Sequence, residues 1–208
     1  MPPPKKKSGV LQLERLEDAE ITIPIVGVTP VIPHKWSEKS LNQMRNKQFG
    51  QTLQQKREPK NPKEEAENAT YWLDDGRPGI PAVSFKAAMV RACSFFEAPS
   101  MTEGRLLLFV VGEVNKEGDQ LIPIIGEKAM REDTPRNASG TPDLRYRYAF
   151  WPWKTEITVR YPAKLLTDTS VMALLDAAGR VGVGDWRPGS KTSSTGTYGT
   201  FRVSDQED

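Results

Sequence analysis

The chain has 208 residues, with 29 Lys and Arg against 27 Asp and Glu for a formal net charge of +2. That length suits one domain, or one domain with a large insertion, and is enough to bury a core. So small a net charge excludes the global basic signature of a histone-like protein, and any electrostatic partner must be met by local clusters. One cysteine, Cys93, excludes an internal disulfide framework and a zinc ribbon.

No run approaches the roughly 18 apolar residues of a membrane span. The start Met1-Pro-Pro-Pro-Lys-Lys-Lys-Ser8 lacks the apolar core that follows a signal peptide's basic end. A cytoplasmic location without membrane partners is expected.

Residues 1–9, rich in Pro and Lys, read as a disordered tail preceding a single domain over 10–208. Residues 19–32 alternate and are β-branched, which predicts a first strand, bent at Pro24 or Pro30. An insertion over about 35–73 follows. Ser37 is placed to cap a helix through Leu41, Met44 and Lys47, and KREPKNPKEE reads as a mobile charged loop. Its basic residues, Lys35 and Lys39 among them, are partly balanced by glutamates, so only Lys35 to Lys47 are expected to face a ligand.

Asp74-Asp75-Gly76 marks a turn, and the apolar spacing after Pro81 predicts a helix from Val83 to Phe95, with Ser84 as an alternative cap. RLLLFVVGEV over 105–114 is an apolar run of strand length, with QLIPII as its hairpin partner. Residues 126–150 show no regular pattern and are expected to form a long functional loop. Strict alternation gives a strand at Trp153–Tyr161, and SVMALLDAA over 170–178 gives a helix capped at Asp168 or Ser170 and stopped by Gly179. A last strand closes the chain at Tyr198–Val203.

Without the insertions, the order is a βαββαβ core with one added strand. This predicts an α+β, ferredoxin-like (RRM-like) fold: an antiparallel sheet with two helices on one face.

The run GRVGVGDWRPGSKTSSTGTYGTF over 179–201 has the glycines, lysine and hydroxyls of a phosphate-binding loop. A Walker loop needs a strand before it and a helix after it. Here a helix precedes and a strand follows, and Ser190 intrudes before Lys191-Thr192. Gly182-Val-Gly184 likewise fails to open a helix, so a dinucleotide fingerprint is excluded. Gly182 and Gly184 leave backbone amides unshielded, and Arg180, Arg187 and Lys191 stand beside them, a composition suited to a polynucleotide backbone. The alternative is a plain connector.

His34 is the sole histidine, so no metal site can be built on histidines and no His–His acid/base pair exists. Alone it could still serve a ribonuclease that cleaves by 2′-hydroxyl attack; the plainer reading is a loop residue after a strand. Asp74-Asp75 and Glu132-Asp133 are the carboxylate pairs open to two-metal chemistry, and DDG is more simply a turn. Arg131, Arg136, Arg145, Tyr146, Arg147, Tyr148, Phe150, Trp151, Trp153 and Lys154 mix cations with flat side chains, the composition that holds single strands, although Phe150, Trp151 and Trp153 also suit a core.

Three features together resemble the RAMP superfamily of ferredoxin-like RNA-binding proteins, which includes backbone subunits of CRISPR effector complexes. Gly79-Ile-Pro-Ala-Val-Ser-Phe-Lys-Ala-Ala-Met-Val-Arg91 is similar to the start of the family's first helix, and the glycine-rich run ending Tyr198-Gly-Thr-Phe-Arg-Val203 to its C-terminal loop and strand. The helix-then-hairpin order between them agrees. Ala82 stands where the family has glycine, and Asp185-Trp-Arg-Pro188 interrupts the loop. The runs His34-Lys-Trp-Ser-Glu-Lys39 and Gly184-Asp-Trp-Arg-Pro188 are similar to runs in phage-encoded proteins.

The resemblance implies a non-enzymatic protein without cofactor or metal that binds single-stranded RNA in preference to DNA and repeats along the strand as a homo-oligomer. It assigns phosphate contact to Ser84, Lys86, Arg180, Arg187 and Lys191, with Gly182 and Gly184 permitting close approach. Arg145, Arg147 and Trp186 complete the set, and His34, Lys35 and Lys39 are secondary candidates. A phage interaction module that docks to a host or virion complex is the alternative, and a metal-independent ribonuclease using His34 the third.

Overall fold

The computed structural model describes residues 14–36, 38–50, 61–135, 140, 142–191 and 195–204. The expected tail over 1–9, the Ser37 cap, Arg136 and Thr192 lie outside them, and so does the side chain of Lys39.

Strand β1 (Asp18–Gly27) buries Ile23 and Ile25 and turns Thr22 and Pro24 to solvent, the alternation a half-buried sheet requires. It ends short of the predicted Ile32. Beyond Gly27 only Val31 pairs again, as an isolated bridge to Phe150. Helix α1 (Glu38–Gln48) lies where the Leu41, Met44, Lys47 spacing put it. Of the charged segment expected as a loop, residues 56–60 lie outside the described residues and the remainder enters a helix. Helix α2 (Pro62–Asn68) is started by Asn61, whose side chain accepts the Glu64 N–H, with Pro62 in its first turn.

Strands β2 (Tyr71–Trp72) and β3 (Pro78–Pro81) flank the Asp74-Asp75-Gly76 turn. Helix α3 (Ala82–Ala92) begins directly after Pro81 and buries Ala82, Phe85, Ala88, Met89 and Ala92, the i, i+3, i+4 stripe of a core-facing helix. Ser84 sits inside its first turn and is not the cap.

The predicted strand 105–114 is overturned in its first three residues. Helix α4 (Met101–Leu107) occupies them, fixed by a capping box in which Ser100 and Glu103 exchange hydrogen bonds. Only β4 (Phe109–Val111) joins the main sheet. Strands β5 (Glu113–Val114) and β6 (Gln120–Pro123) do form the expected hairpin, but in a second sheet of order β2-β3-β6-β5. The expected loop at 126–150 is also corrected. Most of it is a long hairpin of β7 (Ile125–Asp133) with β8 (Arg145–Pro162), paired from Ile125↔Lys154 to Asp133↔Arg145.

Helix α5 (Asp168–Val181) is capped by Thr167, which accepts the Ser170 N–H, and runs past Gly179 to end at Gly182. Strand β9 (Phe201–Val203) closes the chain.

The main sheet runs β4-β8-β1-β9, with every neighbouring pair antiparallel. The strands before and after each long helix, β1 with β4 around α3 and β8 with β9 around α5, thus stand second-third-first-fourth across the sheet. This is the ferredoxin-like order. β8 is the spine: Lys154 pairs with Val26 of β1 on one side and Ile125 of β7 on the other. Ile23, Ile157 and Val159 of the sheet share one core with Phe85 and Met89 of α3 and Leu174 and Leu175 of α5. The opposite face is polar, with Thr22 bonded to Thr158 and Arg160 to Glu20. No helix among the described residues is long and apolar enough to cross a membrane.

Candidate nucleic-acid interface

The glycine-rich run connects α5 to β9 and, over its described residues, is pinned rather than loose. Gly189 N–H donates to Val181 O, Tyr198 N–H to Trp186 O and Val183 N–H to Gly199 O, so the run folds back on itself. The strap after β1 holds it from outside, because Asp185 N–H donates to Ile32 O and Gly199 N–H to Pro30 O. The two predicted glycines serve this closure. Both have positive φ (+74°), and a Cβ on Gly184 would stand 2.6 Å from Ile32 O, while one on Gly182 would stand 3.1 Å from Tyr198 O. Their missing side chains admit the protein's own backbone.

Opposite residues of an antiparallel pair share a face. Arg131↔Arg147 and Asp133↔Arg145 therefore present three arginines and an aspartate on one side of the β7/β8 hairpin, and the glycine-rich run meets that side. Arg147, only 3% exposed, donates to Asp185 Oδ2, and His34 Nδ1 lies 3.4 Å from the same oxygen. Burial works to raise the Asp185 carboxyl. The His34 hydrogen bond and the Arg147 charge outweigh it and hold the group below its ordinary range.

Beside this pair, Arg131 grips the buried Asp133 through two nitrogens and donates to the Tyr198 hydroxyl at 2.9 Å. Its guanidinium also lies 5.2 Å from the Trp186 ring centre and 4.8 Å from that of Tyr198, and the two rings meet at 5.8 Å. Hydrogen bonding to Asp133 raises Arg131 above its ordinary value. Trp186 has φ +52°, a left-handed backbone that a bulky residue rarely adopts and that costs on the order of 1–3 kcal/mol. The Tyr198 N–H bond and the ring contact hold it there.

Of the predicted residues, the structure brings His34, Arg147, Gly184 and Trp186 together at Asp185, with Arg187 one turn on, donating to Gly184 O. Arg145 pairs with Asp143 at the end of the same hairpin. Arg147 is enclosed and its charge is spent on Asp185, so it positions the loop and offers nothing to a ligand directly. No carboxylate within ion-pair distance is found for Arg180, Arg187 or Lys191 among the described residues; Arg180 and Lys191 are exposed.

Ser84 lies in the first turn of α3 beside Phe85, whose ring meets Phe201 at the end of the glycine-rich run at 5.8 Å, and Lys86 points elsewhere. Lys86 lies over Phe109 of β4, at the opposite edge of the main sheet from β9. Lys35 pairs with Glu117 and lies over Tyr71. Phe150 and Trp153 are core residues, while Trp151 is half-exposed. Asp185 and Tyr198 were not singled out as site residues from sequence, and Asp133, read there only as half of a carboxylate pair for metal chemistry, is instead the partner of Arg131. The only signal for Asp185 is its interruption of the glycine pattern. No group of three or more His, Cys, Asp or Glu among the described residues could hold a metal ion.

No protein-family model and no curated protein sequence matches the chain. Solved structures do. It is similar to a chain in the cryo-EM structure of the type III-B Cmr-beta bound to cognate target RNA, with a TM-score of 0.50, 12% identity, and coverage of 90% of this chain and 59% of that one. It is also similar to Cmr6 from Pyrococcus furiosus in its crystal structure, with a TM-score of 0.42, 11% identity, and coverage of 91% of this chain and 100% of that one. The chain thus spans about three fifths of the Cmr-beta chain it matches. That first likeness shows a shared fold, the one expected from the Gly79–Arg91 and Tyr198–Val203 motifs.

Proposed function

We propose that the protein binds single-stranded nucleic acid, RNA in preference to DNA, with the strand running over the glycine-rich loop where it meets the β7/β8 hairpin. The observation that carries this reading is the Arg131, Trp186 and Tyr198 cluster, flat rings and a fixed guanidinium on one surface. Single strands are held by such rings, on which bases stack, and by cations along the backbone. Arg180, Arg187 and Lys191 supply the cations. Arg147 acts through Asp185 to place the loop, and Arg145, paired with Asp143 at the end of the hairpin, stands beside it.

The fold shared with a chain of an RNA-bound assembly supports RNA as the ligand. Association of several copies along one strand extends the same reading, and no catalytic step is assigned. Lys86, whose ammonium lies over Phe109 at the far edge of the sheet, would serve a second point of contact.

Fluorescence anisotropy with labelled oligouridine and oligodeoxythymidine, paired with light scattering with and without oligomer, tests the proposal. It expects tighter binding of the ribose strand and assembly that depends on it. Assembly indifferent to oligonucleotide, with no binding of either strand at low salt, would show an interaction module instead.

A further inference from the structure

The strap between β1 and α1 carries a second aromatic pair that the cluster above does not include. The His34 and Trp36 rings stack with centres 5.7 Å apart and planes 29° from parallel. Trp36 is 56% exposed, so most of the indole surface that a tryptophan ordinarily buries is left in water. A single exposed tryptophan needs no explanation, but this one is held in place.

Val31 and Phe150 exchange both backbone hydrogen bonds, Lys35 N–H donates to Ala69 O at 2.8 Å, and Asp185 N–H donates to Ile32 O. His34 is tied to Asp185, whose carboxylate is fixed by the buried Arg147. The backbone is thus anchored on both sides of His34, and the imidazole that backs the indole is anchored as well. A ring presented this way loses little freedom when something stacks on it.

The neighbourhood indicates what that something is. The residue after Asp185 is Trp186, so the two aromatic pairs flank one carboxylate. Lys35, between His34 and Trp36, places its ammonium near the Tyr71 ring and against Glu117, an exposed pair of little net worth that can yield to a phosphate. Two flat rings with one lysine between them on a pinned strap suit a nucleobase attached to an anionic backbone.

We infer that Trp36, backed by His34, is a base-stacking subsite for one nucleobase of a single strand whose backbone lies on the glycine-rich loop. This rests on the nucleic-acid reading above. Bases inside a duplex already cover one another's faces, so the subsite also selects single strands over duplex.

The test uses the full chain and two labelled probes, an oligouridine and an oligomer of the same length with abasic ribose positions. Wild type should prefer the base-bearing probe. Trp36→Ala should lose about 5- to 100-fold on oligouridine and little on the abasic probe, while Trp36→Phe keeps most of the preference. A Trp36→Ala protein with the wild-type ratio between probes would overturn the subsite and leave backbone binding standing. A wild type that binds neither probe at low salt would overturn both. Should Trp36→Ala lose both probes through misfolding, Trp36→Leu decides: it keeps apolar bulk without an aromatic face, and an unchanged ratio there sinks the subsite.

Discussion

Removing the Asp185 carboxylate is the perturbation that reaches furthest into the loop. Arg147 is 3% exposed, and the ion pair shown for it among the described residues is with Asp185. Breaking a buried ion pair from one side typically costs about 3–5 kcal/mol, because a charge is left uncompensated. The Asp185 side chain is itself 26% exposed, so water relieves part of that cost and we expect about 2–3 kcal/mol for Asp185→Ala. In a protein of this size each kcal/mol moves Tm by roughly 2–4 °C, giving a fall of about 4–12 °C.

Arg147→Met removes the stranded charge, so the double variant should be no less stable than Asp185→Ala alone. Thermal and urea unfolding of the two single variants and the double variant form the cycle. Equal, additive losses, or a loss below about 0.5 kcal/mol in Asp185→Ala, would refute the buried pair as the loop's anchor.

Acid should act on the same group. The folded-state Asp185 carboxyl lies below its unfolded value, so its contribution is complete above about pH 3.9 and is lost as pH falls through the lower folded value. The Tm gap between wild type and Asp185→Asn should therefore shrink as pH falls below ~3.9; a gap that widens there contradicts the assignment. Gly184→Ala combines a left-handed backbone with a Cβ 2.6 Å from Ile32 O. It should cost roughly 2–4 kcal/mol in urea unfolding, and a neutral substitution would mean that the strap and loop do not meet there.

The βαββαβ order was legible because the strands and helices of the core obey simple periods: Ile21, Ile23 and Ile25 alternate, and Phe85, Ala88, Met89 and Ala92 recur at helical spacing. The start of the apolar run, residues 105–107, was misread as strand because a continuous apolar stretch has no period to distinguish helix from strand, whereas Phe109–Val111 is strand as expected. The deciding signal was the Ser100-Met-Thr-Glu103 capping box ahead of it. Asn61-Pro62 was a comparable start signal for α2, hidden in a highly charged segment.

Strands β7 and the first part of β8 escaped for the opposite reason. Their side chains toward the loop are Arg131, Asp133 and Arg147, which are covered or partly covered because they pair. Burial of paired charges erases the hydrophobic alternation by which a strand is recognised. For the candidate site, composition marked the glycine-rich run and the arginines. The hub at Asp185 was beyond reach, since its partners His34 and Arg147 come from distant parts of the chain and meet it only through the sheet.

The central claim is tested most directly by the affinity for labelled oligouridine as a function of salt. With Arg180, Arg187 and Lys191 each neutralising one phosphate of a single strand, log K should fall against log salt with a slope of about −2, or roughly 20-fold between 50 and 200 mM. Lys191→Ala should reduce that slope by about 0.7. A salt-independent affinity, or no binding at the lowest salt, would contradict the account.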